Sequence, residues 1–310
     1  MSTFLSPSAS APSGAARLRE LLGRDELVVA PGAYDALSAR LVEEAGFPAV
    51  YMTGFGTAAS YLGRPDVGLL SMSEMADQAR RIVGAVGIPV IADADTGYGN
   101  PINVIRTVHE YERAGVAALH LEDQEAPKRC GHLEGKRLVP TGDMVAKIEA
   151  AVAARRDPDV VLIARTDARA VEGLSAALER ARRYRDAGAD VLFVEAPESE
   201  AEIETVAAAL AGVPLLFNWA EGGKTPPVTR ERLAELGFRI VIFPVGALLA
   251  ATTAVRTLLA SIAETGTPAQ VMDRMVSFGG FLELVGLPEI HALEERFASA
   301  QAGEKEETEG

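Results

Sequence analysis

The 310-residue chain has a single cysteine and only four histidines. A lone cysteine rules out an internal disulfide and any zinc cluster built on cysteines, and it fits a reducing, cytoplasmic setting. Cations are also in short supply. The 30 Lys and Arg stand against 44 Asp and Glu, a formal net charge of −14. This balance argues against nucleic acid or an anionic membrane as a partner. It leaves room for a small anionic substrate, because a local cluster of cations overrides the global sign. No uninterrupted apolar run approaches the roughly 20 residues that cross a bilayer. The opening "MSTFLSPSASAPSGAA" lacks the basic start and long apolar core of a signal peptide, and residues 1–15 read as a flexible tail. Residues 301–310, "QAGEKEETEG", read as an acidic tail.

What the chain does have is a repeat. From residue 27, short β-branched runs alternate with longer amphipathic stretches. The runs are 27–31, 49–53, 88–93, 117–123, 160–167, 191–196, 214–218 and 239–244, and each reads as a strand. Between them, segments such as "YDALSARLVEEAGF" and "LSAALERARRYRDAGAD" carry apolar residues three and four apart, as helices do. Gly46, Gly115, Gly188 and Gly237 stand where such helices end. The strands are too continuously apolar for a one-sided antiparallel sheet. Eight strand–helix repeats predict an α/β chain, a (β/α)8 TIM barrel over residues 16–265. A doubly wound open sheet is the alternative, but it needs no eighth strand. Residues 266–300, with "FLELVGLPEIHALEERFA", have no place in a minimal barrel. They are expected to form C-terminal helices that pack on a partner subunit.

Chemistry in such barrels sits at the C-terminal ends of the strands. Those ends carry Asp93 and Asp95, Glu122 and Asp123, Arg165 and Asp167, Glu195, and Asn218 with Glu221. The opposite ends begin with Ala49, Ile88, Ala117 and Val160. Helix capping accounts for one such acid, but not for a ring on five strands. In "ADADTGYGN", Asp93 and Asp95 are two apart, so strand alternation would point both to one side. Converging carboxylates repel unless a cation lies between them. Oxygen ligands with room for water suit Mg2+ or Mn2+ better than zinc. Arg165 would offer a fixed guanidinium to a substrate carboxylate, or else pair with neighbouring acids. His109 lies in a helical pattern, His291 near the C-terminus and His120 inside a strand, which leaves His132 as the histidine placed for catalysis.

The cysteine lies in "EDQEAPKRCGHLEGKRL" (122–138), with Lys128 and Arg129 before it and Gly131 and His132 after it. A polar segment with two glycines suits a lid between a strand and its helix better than it suits a buried apolar thiol. Cations on both sides are expected to lower the thiol pKa from about 8.5. Cys130 could then exchange a proton near neutral pH, or attack a substrate covalently.

"KRCGH", together with "DADTGYGN", "HLEDQ", "ARTDA" and "EGGKTP", resembles the isocitrate lyase/phosphoenolpyruvate mutase superfamily, over most of the chain. The resemblance implies a Mg2+-dependent barrel, a homotetramer with helices swapped between paired subunits, and small 2-hydroxy or 2-oxo acids as substrates. Carried over motif by motif, it assigns Asp93, Asp95 and Glu122 to the metal. Thr53, Gly54, Phe55, Gly131, Arg165, Glu195, Asn218 and Glu221 go to the substrate, and Cys130, Lys128, His132 and Asp66 to catalysis. It implies a lyase that cleaves a 2-methylisocitrate- or 2,3-dimethylmalate-like acid to a 2-oxo acid and a succinate-like acid, with Cys130 protonating the leaving fragment. The alternatives are a carboxyphosphonoenolpyruvate phosphonomutase and an oxaloacetate hydrolase or decarboxylase. Phe55 and Trp219 are expected to narrow the pocket and select substituents.

Overall fold

The computed structural model describes residues 12–307, with side chains to residue 298. Eight parallel strands close into a barrel in sequence order, the last pairing back onto the first. They are β1 (Val28–Ala33), β2 (Val50–Met52), β3 (Val90–Asp93), β4 (Ala118–Glu122), β5 (Val161–Thr166), β6 (Val191–Val194), β7 (Leu215–Asn218) and β8 (Phe238–Phe243). Each coincides with one of the eight apolar runs, so the TIM barrel stands.

Helix α1 (Gly14–Leu22) precedes the barrel. Around it run α2 (Ala36–Glu44), α3 (Gly54–Leu62), α4 (Met72–Ala85), α5 (Pro101–Ala114) and α6 (Thr141–Ala154). Then come α7 (Ala168–Val171), α8 (Leu174–Asp186), α9 (Glu200–Ala209) and α10 (Arg230–Glu235). Their ends follow local chemistry. Asp35 with Ser38, and Ser71 with Glu74, form reciprocal capping boxes at the starts of α2 and α4. Gly46, Gly115, Gly188 and Gly237 all take φ between 82° and 103°, where a β-carbon is disfavoured.

Helix α1 has no counterpart among the helices expected from the sequence. Ser13 caps it, and it begins inside the stretch read as a tail, whose first eleven residues lie outside those described. Leu18 is fully buried in the inner barrel cluster with Val28, Ile91, Ile163 and Ile240. Arg19 donates to the carbonyls of Asp159 and Val160 and pairs with Asp190, at the points where β5 and β6 begin. Helix α1 is therefore a stopper at the N-terminal end of the strands, and the opposite end is left for the site. A second cluster fills the layer between barrel and helices.

The described residues fall into two compact units that divide after Ala250, inside α11 (Gly246–Thr265). The sequence reading placed that boundary at residue 265. Beyond α11 the second unit holds a short 3-10 turn, α12 (Phe278–Leu284) and α13 (Leu287–Glu307). The acidic stretch from residue 301 continues α13 as far as Glu307, and residues 308–310 lie outside those described. Helix α11 has the length and hydropathy of a membrane span, with Arg256 near its middle. Val255, Leu259, Val276 and Phe278 are exposed.

Candidate active site

Asp93 and Glu122 end β3 and β4, Arg165 and Asn218 lie at the ends of β5 and β7, and Glu195 follows β6. Strand register sets Asp93 beside His120 and Glu122 beside Arg165. Thr53 caps α3, its hydroxyl accepting the Gly56 N–H, and Asp66 comes from the loop after that helix. With the 124–138 loop these elements enclose a cavity of about 270 Å³. Thr53, Phe55, Asp66, Asp93, Lys128, Cys130, Gly131, His132, Arg165, Asn218 and Glu221 line it. Gly54, Asp95, Glu122 and Glu195 do not, and they support it from behind or beside. Gly54 donates its N–H to Asp93 Oδ2 at 3.2 Å, and a β-carbon there would strike that carboxylate. A β-carbon on Gly131 would strike the Arg165 guanidinium and Glu195, so the loop packs down only because this residue is glycine.

Arg165 pairs with its neighbouring acids and still faces the cavity. It donates through Nε and Nη2 to the Asp167 carboxylate at 2.9 and 3.1 Å, and lies 3.4 Å from both Glu122 and Glu195. Burial disfavours its charge, but Asp167, Glu195 and Glu122 hold its pKa well above the usual range. Glu195 accepts from Asn218 Nδ2 and has His132 Nε2 at 3.0 Å. Although burial opposes its charge, Arg165 and His132 keep its carboxyl well below the usual range. Nδ1 of His132 accepts the Lys224 N–H, which leaves the ring proton on Nε2, toward Glu195. Glu221 lines the cavity, and its carboxylate accepts the N–H groups of Val245 and Gly246 at 3.1 and 2.8 Å, at the start of α11.

The loop that carries the cysteine is fastened down. Gln124 brackets Arg129 with two hydrogen bonds, and Gln124 bridges to Leu138 across the loop's base. Lys136 donates to the Gly131 carbonyl and lies 3.0 Å from Asp167. The Cys130 N–H donates to the Asp66 carbonyl at 3.2 Å. The expectation of a lowered thiol pKa fails. Burial raises it, outweighing a hydrogen bond from the His132 backbone, and Asp66 and Glu195 add to the rise. The cations beside Cys130 in sequence are engaged elsewhere in space. Lys128 Nζ sits 2.7 Å from Asp66 and 2.8 Å from Asp95, and Arg129 donates to the Glu134 carbonyl. Arg165 pulls the other way, but burial prevails and favours the protonated thiol.

The two aspartates also differ from the sequence argument. Strand β3 ends at Asp93, and Asp95 takes a left-handed φ of 47°, so the two-residue alternation does not reach it. Asp93 lines the catalytic cavity and Asp95 a neighbouring one. Burial lifts the Asp95 carboxyl to about 7 against the pull of Lys128, helped by Asp93 and Asp66. Glu122, with no hydrogen bond on either oxygen, is pushed well above its usual range by burial, despite Arg165 and Lys128. Buried carboxylate oxygens without a hydrogen bond, Asp95 Oδ1 and both of Glu122, fit a hard divalent cation. Among the described residues no three metal-binding side chains are gathered at ligand spacing. Such an ion would keep water or substrate oxygens in its shell, as Mg2+ does.

Lys136, Asp123 and Tyr51 also shape the site, and of these the sequence brings out only Asp123, as a strand-end acid. Lys136 fastens the loop. Asp123 accepts from Thr166, Tyr184 and the Asp167 N–H, tying β4 to β5. Tyr51 lines the cavity with its hydroxyl 2.8 Å from His120 Nε2. A third cation in "KRCGHLEGK" was a visible signal for Lys136, whereas nothing periodic marks Tyr51. Phe55 lines the cavity as expected. Trp219 does not, for its indole donates to the Val228 carbonyl and packs on Phe243 in a separate groove.

The sequence model of the phosphoenolpyruvate phosphomutase family matches residues 18–263. The chain is 49% identical to 2,3-dimethylmalate lyase of Eubacterium barkeri over 93% of its own length and 99% of that protein's. It is 48% identical to 2-methylisocitrate lyase of Aeropyrum pernix, over 87% and 86%. Among solved structures, oxaloacetate acetylhydrolase in complex with 3,3-difluorooxalacetate matches with a TM-score of 0.88 at 45% identity, over 92% of this chain and 97% of the other. Phosphonopyruvate hydrolase with oxalate and Mg2+ matches at 0.85 and 36%, over 93% and 100%.

Proposed function

This chain belongs to the isocitrate lyase/phosphoenolpyruvate mutase superfamily, and on that premise we propose that it is a carbon–carbon lyase acting on a methyl-substituted 2-hydroxy di- or tricarboxylate. The observation that carries this reading is one cavity with a protonated thiol on one side and a fixed guanidinium on another. Part of its wall is apolar, formed by Phe55, Leu133, Pro244, Val245 and Leu249. Charged groups recognise carboxylates, and the apolar wall takes the methyl groups.

The residues divide the work. Arg165 receives a substrate carboxylate and steadies the negative charge that develops as the bond breaks. Asp66 accepts the proton of the C2 hydroxyl. The C2–C3 bond then breaks, C2 becomes the carbonyl of the 2-oxo acid, and the bonding pair passes to C3 and into its carboxylate. Cys130 Sγ–H delivers a proton to C3. The fastened loop keeps water from competing for that carbanion. Asp93, Asp95 and Glu122 would hold a divalent cation, Mg2+ or Mn2+, which when bound draws negative charge onto the 2-oxo acid oxygens. The second product is succinate-like from an isocitrate skeleton and propionate-like from a malate skeleton.

NMR of the protein with Mg2+ and 2-methylisocitrate, isocitrate, 2,3-dimethylmalate, oxaloacetate and phosphonopyruvate tests this. A 2-oxo acid released from a methylated substrate supports it. Oxalate from oxaloacetate, or turnover confined to phosphonates, would assign the chain to another branch.

The same reading extends to assembly. A groove of about 720 Å³ between β1 and β8 is lined by Val29, Phe47, Trp219, Leu233, Val241 and Phe243. It is the place where an eighth covering helix belongs. Helix α11, long, apolar and nearly bare, supplies one from a second copy of the chain within a homotetramer. Leu259→Glu should reduce the sedimenting mass, and an unchanged mass refutes the exchange. The one free thiol supports a cytoplasmic setting.

A further inference from the structure

Lys128 stands between two cavities. On one side is the catalytic cavity, which it lines with Asp66 and Asp93. On the other is a cavity of about 470 Å³, lined by Asp95, Thr96, Tyr98, Asn103 and Lys128 itself. The ammonium is only 4% exposed and lies between Asp66 Oδ2 and Asp95 Oδ1, at 2.7 and 2.8 Å. Asp95 Oδ1 has no hydrogen-bond partner, so Lys128 is the cation of that carboxylate. The backbone of Asp95 is left-handed, with φ 47°. A divalent cation arriving at Asp95 would meet a positive charge about 3 Å from the oxygen it needs, where Coulomb repulsion is strong. Asp66, on a different element, gives that charge a second place to stay.

Resting on the cation reading above, we propose that Lys128 is a built-in counter-ion that a divalent cation displaces from Asp95 onto Asp66 alone, so that cation binding sets the position of the 124–138 loop. The coupling runs along the chain. Lys128 is two residues before Cys130, whose N–H is bonded to the carbonyl of the same Asp66. Retreat of the ammonium to Asp66 draws the loop toward that residue and leaves Asp95 open. Lys128 is then a positioning residue, acting on the cation through Asp95 and on the thiol through Asp66.

Calorimetry of Mg2+ binding, with hydrogen exchange of residues 124–138, tests this on the full chain. Lys128→Met should bind Mg2+ about tenfold tighter or more, because the competing charge is gone. Asp66→Asn should bind it more weakly, because Lys128 is left with Asp95 as its carboxylate. Lys128→Arg should restore the wild-type affinity. Mg2+ should change loop protection in the wild type and leave it unchanged in Lys128→Met. A folding defect would weaken both variants together, so the opposite signs are diagnostic. Equal or weaker affinity in Lys128→Met, or unchanged affinity in Asp66→Asn, overturns the displacement while leaving the cation reading intact. Absence of Mg2+ binding in the wild type and in every variant overturns both.

Discussion

A thiol that gives its proton to carbon has to keep that proton at neutral pH until the carbanion forms. Burial does this for Cys130, raising its pKa while Asp66 and Glu195 add to the effect. Alkylation by iodoacetamide should therefore have its pH inflection above the ordinary thiol value of about 8.5, and an inflection well below it would contradict the donor role. At this scale the sequence brought out residues that share one cavity, without their partners. Lys128, Cys130, His132 and Arg165 were legible as polar groups in a polar place. That Lys128 would turn to Asp66 and Asp95, or Trp219 to Val228, depends on side-chain directions that spacing does not encode. That the Glu221 carboxylate would also serve the Val245 and Gly246 amides depends on the same directions.

Strands were the most legible elements. Period and β-branching placed all eight, and four glycines marked helix ends with positive φ. Helix α1 was missed because it is short and follows a Ser/Ala/Pro-rich stretch, and its role emerges only when the barrel closes above it. Leu18 is fully buried inside the barrel mouth, so Leu18→Ala should cost about 2–5 kcal/mol of stability. Thermal denaturation would read that loss. Turnover by the still-folded variant should be unaffected, since the substitution lies at the end opposite the site. A change below about 0.5 kcal/mol would mean that α1 does not stopper the barrel.

The whole molecule carries a surplus of acid, and part of that surplus is buried at the site. Asp95 moves from about 3.8 to about 7 on folding. Its stabilising contribution is present below the unfolded value and is lost as pH rises through the folded one. Glu195 works the other way, its lowered pKa adding stability that fades only in acid. A divalent cation compensates the ionised Asp95, so Mg2+ should raise Tm more at pH 8 than at pH 5.5. An equal or larger gain at pH 5.5 would contradict the cation site. Composition gives the acidity and leaves room for a small anionic substrate, but not which acids lose their water. The measurement nearest the central claim compares Cys130→Ser with the wild type on a methylated 2-hydroxy acid in the presence of Mg2+. The variant should bind Mg2+ and pyruvate normally and lose turnover by at least about 100-fold. Unchanged release of the 2-oxo acid would show that the thiol is not the proton donor.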